Sequence, residues 1–188
     1  MTNVNVMKNR KTKYATEGDS HVSQKETDAG MVSEPYMQYG FVVNTSISRA
    51  IRLMGMDTPK DLNVINSDKD FIGLIRMGIP RQAMTYLMDV ADITLTEMAN
   101  ITHTSDRTLR RYKPGDKLSQ EQSERMIEIA KLYSRGEEVF GSIEQFRDWM
   151  STTLLPLGNK RPKEYLDTSM GINILMEELG KIEHGIFA

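Results

Sequence analysis

Apolar residues recur at intervals of three and four along most of this chain, and most of these runs open on a residue able to cap a helix. Between Ser46 and Asp92 the helical pattern is broken at Gly55, at Pro59 and at the Met77-Gly78-Ile79-Pro80 punctuation. Within it, Ser67 to Asp70 stands ahead of Phe71, Leu74 and Ile75 and predicts a short capped helix. Pro80 suits the first turn of the next helix, along which Met84, Leu87, Met88 and Ala91 share a face. The methionines have no His or Cys companions, so they read as filler of an irregular helical core and not as a metal box. Further on, Ser119 and Gln122 form a capping box before a helix lined by Met126, Ile129, Ala130 and Tyr133, with its end expected near Gly136. Ser142 and Gln145 repeat the device before Ile143, Phe146, Trp149 and Met150, where Trp149 reads as a core anchor. A last helix opens at Leu166-Asp167-Thr168-Ser169, carries Ile172, Leu175, Met176, Leu179 and Ile182 on one stripe, and is ended by Gly185 after His184. The pattern predicts an all-α chain.

Three stretches fall outside it. Residues 1–40 are rich in Thr, Ser, Asn, Lys and Glu without a sustained period and read as a flexible arm, whose basic cluster Lys8, Arg10, Lys11 and Lys13 is balanced by Glu17, Asp19, Glu26 and Asp28. Residues 153–160 read as a loop running into Gly158-Asn159-Lys160-Arg161-Pro162, which lacks the further glycines and the hydroxyl of a P-loop. Ile186-Phe187-Ala188 is apolar, and such a tip either folds back on its own core or fills a pocket on a partner.

Between Thr94 and Lys113 the spacing is that of a helix-turn-helix. Thr94 with Glu97 is a capping box for a short helix whose small apolar face is Leu95, Met98 and Ala99. Thr104 or Ser105 caps the helix after it, Leu109 points inward, and Thr108, Arg107, Arg110, Arg111 and Lys113 remain for the surface. A tight crossing of two helices wants a small residue, a turn residue tolerant of positive φ and an apolar anchor, and Ala99, His103 and Leu109 occupy those places. Such a basic helix fits a major groove, with Thr104 and Ser105 at its start; the alternative is that the arginines are the solvated face of an ordinary bundle helix.

Composition narrows the classes. At 188 residues the chain makes one moderate domain or two small ones. With no cysteine there is neither a disulfide framework nor a thiolate metal site, and no apolar run is long enough to span a bilayer. Met1 to Gly18 has no apolar core of a secretory signal, so a cytoplasmic protein is expected. A formal net charge of −2 argues against indiscriminate coating of nucleic acid; affinity for DNA would come from the local basic helix, doubled by a homodimer. His21, His103 and His184 are far apart, Glu177 and Glu178 read as a solvated helix face, and no catalytic set, cofactor or metal site can be assembled.

Several motifs in order carry a resemblance. They are Gly78-Ile79-Pro80-Arg81, Ser105-Asp106-Arg107-Thr108-Leu109-Arg110-Arg111, Leu118-Ser119, Val139-Phe140-Gly141, the Trp149 segment, Leu157-Gly158, Leu166-Asp167-Thr168, and Leu179 through Ala188. From roughly residue 50 onward the chain resembles the Xre/ParS-type antitoxins of bacterial type II toxin-antitoxin modules. After the arm read over 1–40, the resemblance implies an Xre-like helix-turn-helix domain over 41–141 and a small helical toxin-binding domain over 142–188. It implies no enzyme, but a protein that docks in the active-site cleft of a RES-type or related ADP-ribosyltransferase-like toxin acting on NAD, and that binds operator DNA with it to autoregulate the operon. The toxin contacts it implies are Lys181, Glu183, His184, Gly185, Ile186, Phe187 and Ala188. Family sequences usually have Gly where His103 and Asn159 stand and often Tyr where His184 stands. A stand-alone helix-turn-helix regulator, using its C-terminal region to dimerise, is the competing reading.

Overall fold

The computed structural model describes residues 45–56 and 67–185; the arm expected over 1–40, the break at Pro59 and the tip Ile186-Phe187-Ala188 lie outside the described residues. Among the described residues there are eight α-helices and no strand: α1 (Thr45–Leu53), α2 (Asp68–Met77), α3 (Arg81–Ala91), α4 (Leu95–Ile101), α5 (Asp106–Arg111), α6 (Gln120–Phe140), α7 (Ile143–Ser151) and α8 (Ser169–Glu183). Two 3-10 turns, Leu155–Leu157 and Pro162–Tyr165, connect the last two helices. The described residues are all-helical, as the periodicity predicts.

Local chemistry sets most of the helix starts. The Asp70 carboxylate accepts from the Ser67 amide and hydroxyl at 2.8 and 2.9 Å, closing the start of α2. At α6, Ser119 Oγ accepts the Gln122 amide at 3.2 Å while Gln122 Oε1 accepts the Ser119 amide at 3.0 Å. At α7 only half of the expected box forms: Ser142 Oγ accepts the Gln145 amide at 3.2 Å, and the exposed Gln145 side chain does not return. Pro80 is one residue further out than its pattern indicates. It is the N-cap of α3, with extended backbone, because the first two amides of the helix donate to the Asp116 and Pro114 carbonyls at 2.8 and 3.1 Å. The start of α3 is thereby tied to the loop that follows α5.

The axis of the fold is α6, which packs against α1, α2, α3, α7 and α8. Burial surrounds it: Met126, Ile127, Ile129, Ala130, Leu132 and Tyr133 are all inside, more than the single stripe expected. Its buried polar groups are bonded to neighbours. Ser123 Oγ accepts the Ile79 amide at 3.0 Å, Tyr133 donates its hydroxyl to the Ala91 carbonyl at 3.2 Å, and Ser134 donates to the Ser46 carbonyl at 3.0 Å. Burial pushes the Tyr133 phenol above its ordinary pKa, so it remains a donor.

The expected end of this helix at Gly136 is corrected by the structure. The helix runs on to Phe140 and stops at Gly141, which is left-handed with φ 81°. Gly136 is a contact residue: a Cβ there would lie 2.4 Å from the Phe146 ring of α7. That approach lets Phe146 reach Tyr133 at a 5.0 Å centroid distance and stack on Trp149 at 5.6 Å. Trp149, half-buried, is part of this aromatic cluster. The stretch 153–160, expected as a plain loop, holds one of the 3-10 turns and closes as a tight turn in which the Leu154 amide donates to the Lys160 carbonyl at 3.1 Å.

Candidate functional site

The α4–α5 junction is built from short-range hydrogen bonds. Thr94 Oγ1 accepts the Glu97 amide at 3.2 Å, and the Glu97 carboxylate accepts the Thr94 amide and hydroxyl at 2.7 and 2.8 Å, so the predicted capping box forms in full. The chain then reverses at His103, whose φ is 50°, with the Thr104 amide donating to the Ala99 carbonyl at 2.9 Å. This is the left-handed position where the family resemblance places Gly. Of the two candidate caps, Ser105 fills the role: its Oγ accepts the Thr108 amide at 3.1 Å and lies 2.9 Å from the Thr108 hydroxyl. Thr104 precedes the cap and is half-buried. Across the junction Thr96 donates its hydroxyl to the Asp106 carboxylate at 2.9 Å, and Leu109 is fully buried against the face that contains Met98, Ala99 and Ile101.

What remains of α5 faces solvent as positive charge. Arg107, Arg110, Arg111 and Lys113 are exposed, and with Lys117 they form a run of five cations without a carboxylate partner among the described residues. The two acids inside the run serve neutral donors, Asp106 as above and Asp116 by accepting the Lys113 backbone amide at 2.7 Å. Other arginines are treated differently. Arg49 and Arg52 share Glu137 at 3.3 and 3.1 Å, Arg125 holds Glu128 at 2.8 Å, Arg147 holds Glu144 at 3.3 Å and Arg161 holds Glu164 at 3.1 Å. Among the described residues Arg76 and Arg81 have no carboxylate partner, and Arg81 stands beside the run, its Nη1 on Thr85 Oγ1 and its pKa lowered by burial. Sequence reasoning singled out neither Lys117 nor Arg81 as part of this surface.

The second candidate surface is the end of α8. Lys181 donates to Glu178 at 2.7 Å, which holds its pKa above the ordinary lysine value. The Glu183 carboxylate accepts from Arg135 of α6, and His184 Nδ1 lies 2.7 Å from the Gly180 carbonyl. Gly185 turns left-handed at φ 66° and donates its amide to the Ile182 carbonyl at 3.0 Å. Lys181, Glu183, His184 and Gly185 are exposed together, whereas Ile186, Phe187 and Ala188 lie outside the described residues. The core stripe of α8 consists of Ile172, Leu175 and Leu179 with Met176 packed beside them; Ile182, expected on it, is half-buried and does not join the core.

The two surfaces belong to one compact unit. The helix-turn-helix turn, at Ile101 to His103, lines a cleft with Arg125 and Ser169, so it lies by the first residue of α8. The other surface is at that helix's far end, about 21 Å along its axis. Among the described residues no group of His, Cys, Asp or Glu could hold a metal, and no helix is long and apolar enough to cross a membrane.

Comparison with known proteins divides the chain at the same two surfaces. Residues 70–131 match the antitoxin Xre-like helix-turn-helix domain, and residues 135–185 match the antitoxin Xre/MbcA/ParS C-terminal toxin-binding domain. Over 116 residues the chain is 28% identical to a protein of Yersinia enterocolitica named Antitoxin Xre, covering 61% of this chain and 78% of that relative. Over 78 residues it is 30% identical to an Antitoxin Xre of Photorhabdus laumondii, covering 41% of this chain and 53% of the relative.

Proposed function

Because this chain belongs to the Xre/ParS-type antitoxins of type II toxin-antitoxin systems, regulatory proteins and not enzymes, we propose that it neutralises a RES-type or related ADP-ribosyltransferase-like toxin acting on NAD. The docking element is the C-terminal end of α8. Lys181, Glu183, His184 and Gly185 approach the rim of the toxin's active-site cleft, and Ile186, Phe187 and Ala188 continue into it and exclude substrate.

The same protein binds its own operator through α5. Arg107, Arg110, Arg111 and Lys113 contact phosphates or base edges, and Thr104, Ser105 and Thr108 meet the backbone at the helix start. A homodimer matches a palindromic operator, and the toxin complex represses the operon in the bacterial cytoplasm. The observation that carries the DNA half of this reading is the run of five cations left without carboxylates among the described residues, where most of the other described arginines hold one. A phosphate backbone supplies the missing partners.

The test is co-purification with the product of the neighbouring gene, comparing the full chain with one ending at Lys181. A stable complex and suppressed toxicity with the full chain alone support the docking element. Failure of both to bind the neighbour, with operator binding intact, would replace the antitoxin reading with that of a stand-alone regulator.

A further inference from the structure

We infer that Arg135 is a positioning residue for the toxin-binding end of the chain, and that Glu183 serves toxin binding through Arg135 and not by touching the toxin. The inference rests on the proposed docking of α8 and revises it at one residue: within the turn that approaches the rim, Glu183 aims the helix and Lys181, His184 and Gly185 are left to meet the toxin. The body of α8 is anchored by Ile172, Leu175 and Leu179, all buried, whereas Ile182 is half-buried and outside the core formed by the described residues. The final turn, Gly180 to Gly185, is therefore less deeply packed than the body of the helix. Its other side-chain bonds are internal to α8: Lys181 to Glu178, and His184 Nδ1 to the Gly180 carbonyl.

Among the described residues, the side-chain bond from this turn to another helix is that of Glu183 to Arg135. Arg135 is suited to the task. It sits on α6 immediately before Gly136, the residue on which Phe146 packs, so its backbone belongs to a rigid part of the molecule. One guanidinium nitrogen donates to Glu138 at 3.1 Å and the other to Glu183. Glu138 thus fixes the fork that Glu183 engages. A lysine offers no such fork and could hold one carboxylate well but not both. Half-exposed pairs of this kind add little to global stability, yet here the pair sets where the chain leaves α8 toward its last residues.

Two measurements on the full chain test this. Hydrogen exchange reads the free protein: in Arg135→Ala, protection of the His184 and Gly185 amides should fall about two- to fivefold while that of Leu175 stays unchanged. Dissociation from the neighbouring gene product should quicken by a similar factor in Arg135→Ala and in Glu183→Gln, with no further loss when the two are combined. Arg135→Lys should recover part of the affinity, and the exchanged pair Arg135→Glu with Glu183→Arg more than either change alone. Additive losses would overturn the inference by placing Glu183 on the toxin directly, and unchanged exchange in Arg135→Ala would overturn it by showing the turn held without Arg135. If the wild-type chain binds no neighbouring product, the antitoxin reading fails, and the exchange result still decides whether Arg135 holds the turn.

Discussion

The run from Arg107 to Lys117 and the last turn of α8 are both short, exposed and charged, and they handle charge in opposite ways. Around α5 the fold leaves five cations together and spends the nearby carboxylates of Asp106 and Asp116 on a hydroxyl and a backbone amide. At the end of α8, Lys181 and Glu183 have each been given a partner within the chain. Like charges spaced along a helix repel by a few tenths of a kcal/mol per pair, so the first arrangement is a small standing cost that an external polyanion would relieve. The second leaves little net charge to offer and sets geometry instead, which is what a shape-complementary protein contact requires. A chain with a formal net charge of −2 can bind DNA only through such a local excess.

The largest test of this contrast removes the anchor of α5. Leu109 is the buried residue of that six-residue helix, so Leu109→Ala should lower unfolding stability by about 3 kcal/mol in urea titration. Operator binding should go with it, while complex formation with the toxin at saturating concentration persists. Loss of both together would mean that the two surfaces are not separable. Next in size, replacing Arg107, Arg110 and Arg111 by Ala should weaken DNA binding by about 3 kcal/mol and flatten the slope of log affinity against log salt by about 3. Stability should hold or rise slightly as like charges are removed, and an unaltered salt slope would return these arginines to the status of a solvated helix face.

Gly136 separates what local sequence discloses from what it hides. The caps at Ser67, Thr94, Ser105 and Ser119 are legible because donor and acceptor lie within three residues, and periodicity gives much of the apolar faces, although α6 buries more than its stripe and α8 less. The left-handed turn at His103 is legible too, since its neighbours already demand a helix crossing. Gly136 reads as a stop because glycine ends helices more often than it is buried within them; only the ring of Phe146 across the α6–α7 junction explains it. Arg135 and Glu183 stand 48 residues apart, and no spacing rule connects them. Lys117 and Arg81 join the α5 surface only through the backbone bonds linking α3 to the loop after α5. Gly136→Ala should therefore cost about 2 kcal/mol through overpacking and loosen toxin binding, leaving the DNA salt slope unchanged.

The smallest expected effect concerns the turn itself. His103 holds φ at 50°, a conformation that costs a non-glycine residue about 1–2 kcal/mol, while glycine there gives back about 0.5–1 kcal/mol through the greater freedom of the unfolded chain. His103→Gly should thus raise stability by about 0.5 kcal/mol, visible as a rise in Tm of roughly 2 °C, without changing DNA affinity, because His103 lies outside the cation run. Asn159, at φ 59°, provides the control. The short polar asparagine side chain can hydrogen-bond locally in the left-handed region, so Asn159→Gly should gain less. A loss of stability in His103→Gly would mean that the imidazole contributes to the cleft it shares with Arg125 and Ser169 by more than its backbone strain removes. The turn would then couple the DNA-binding surface to the start of α8, and the two charged surfaces would cease to be independent.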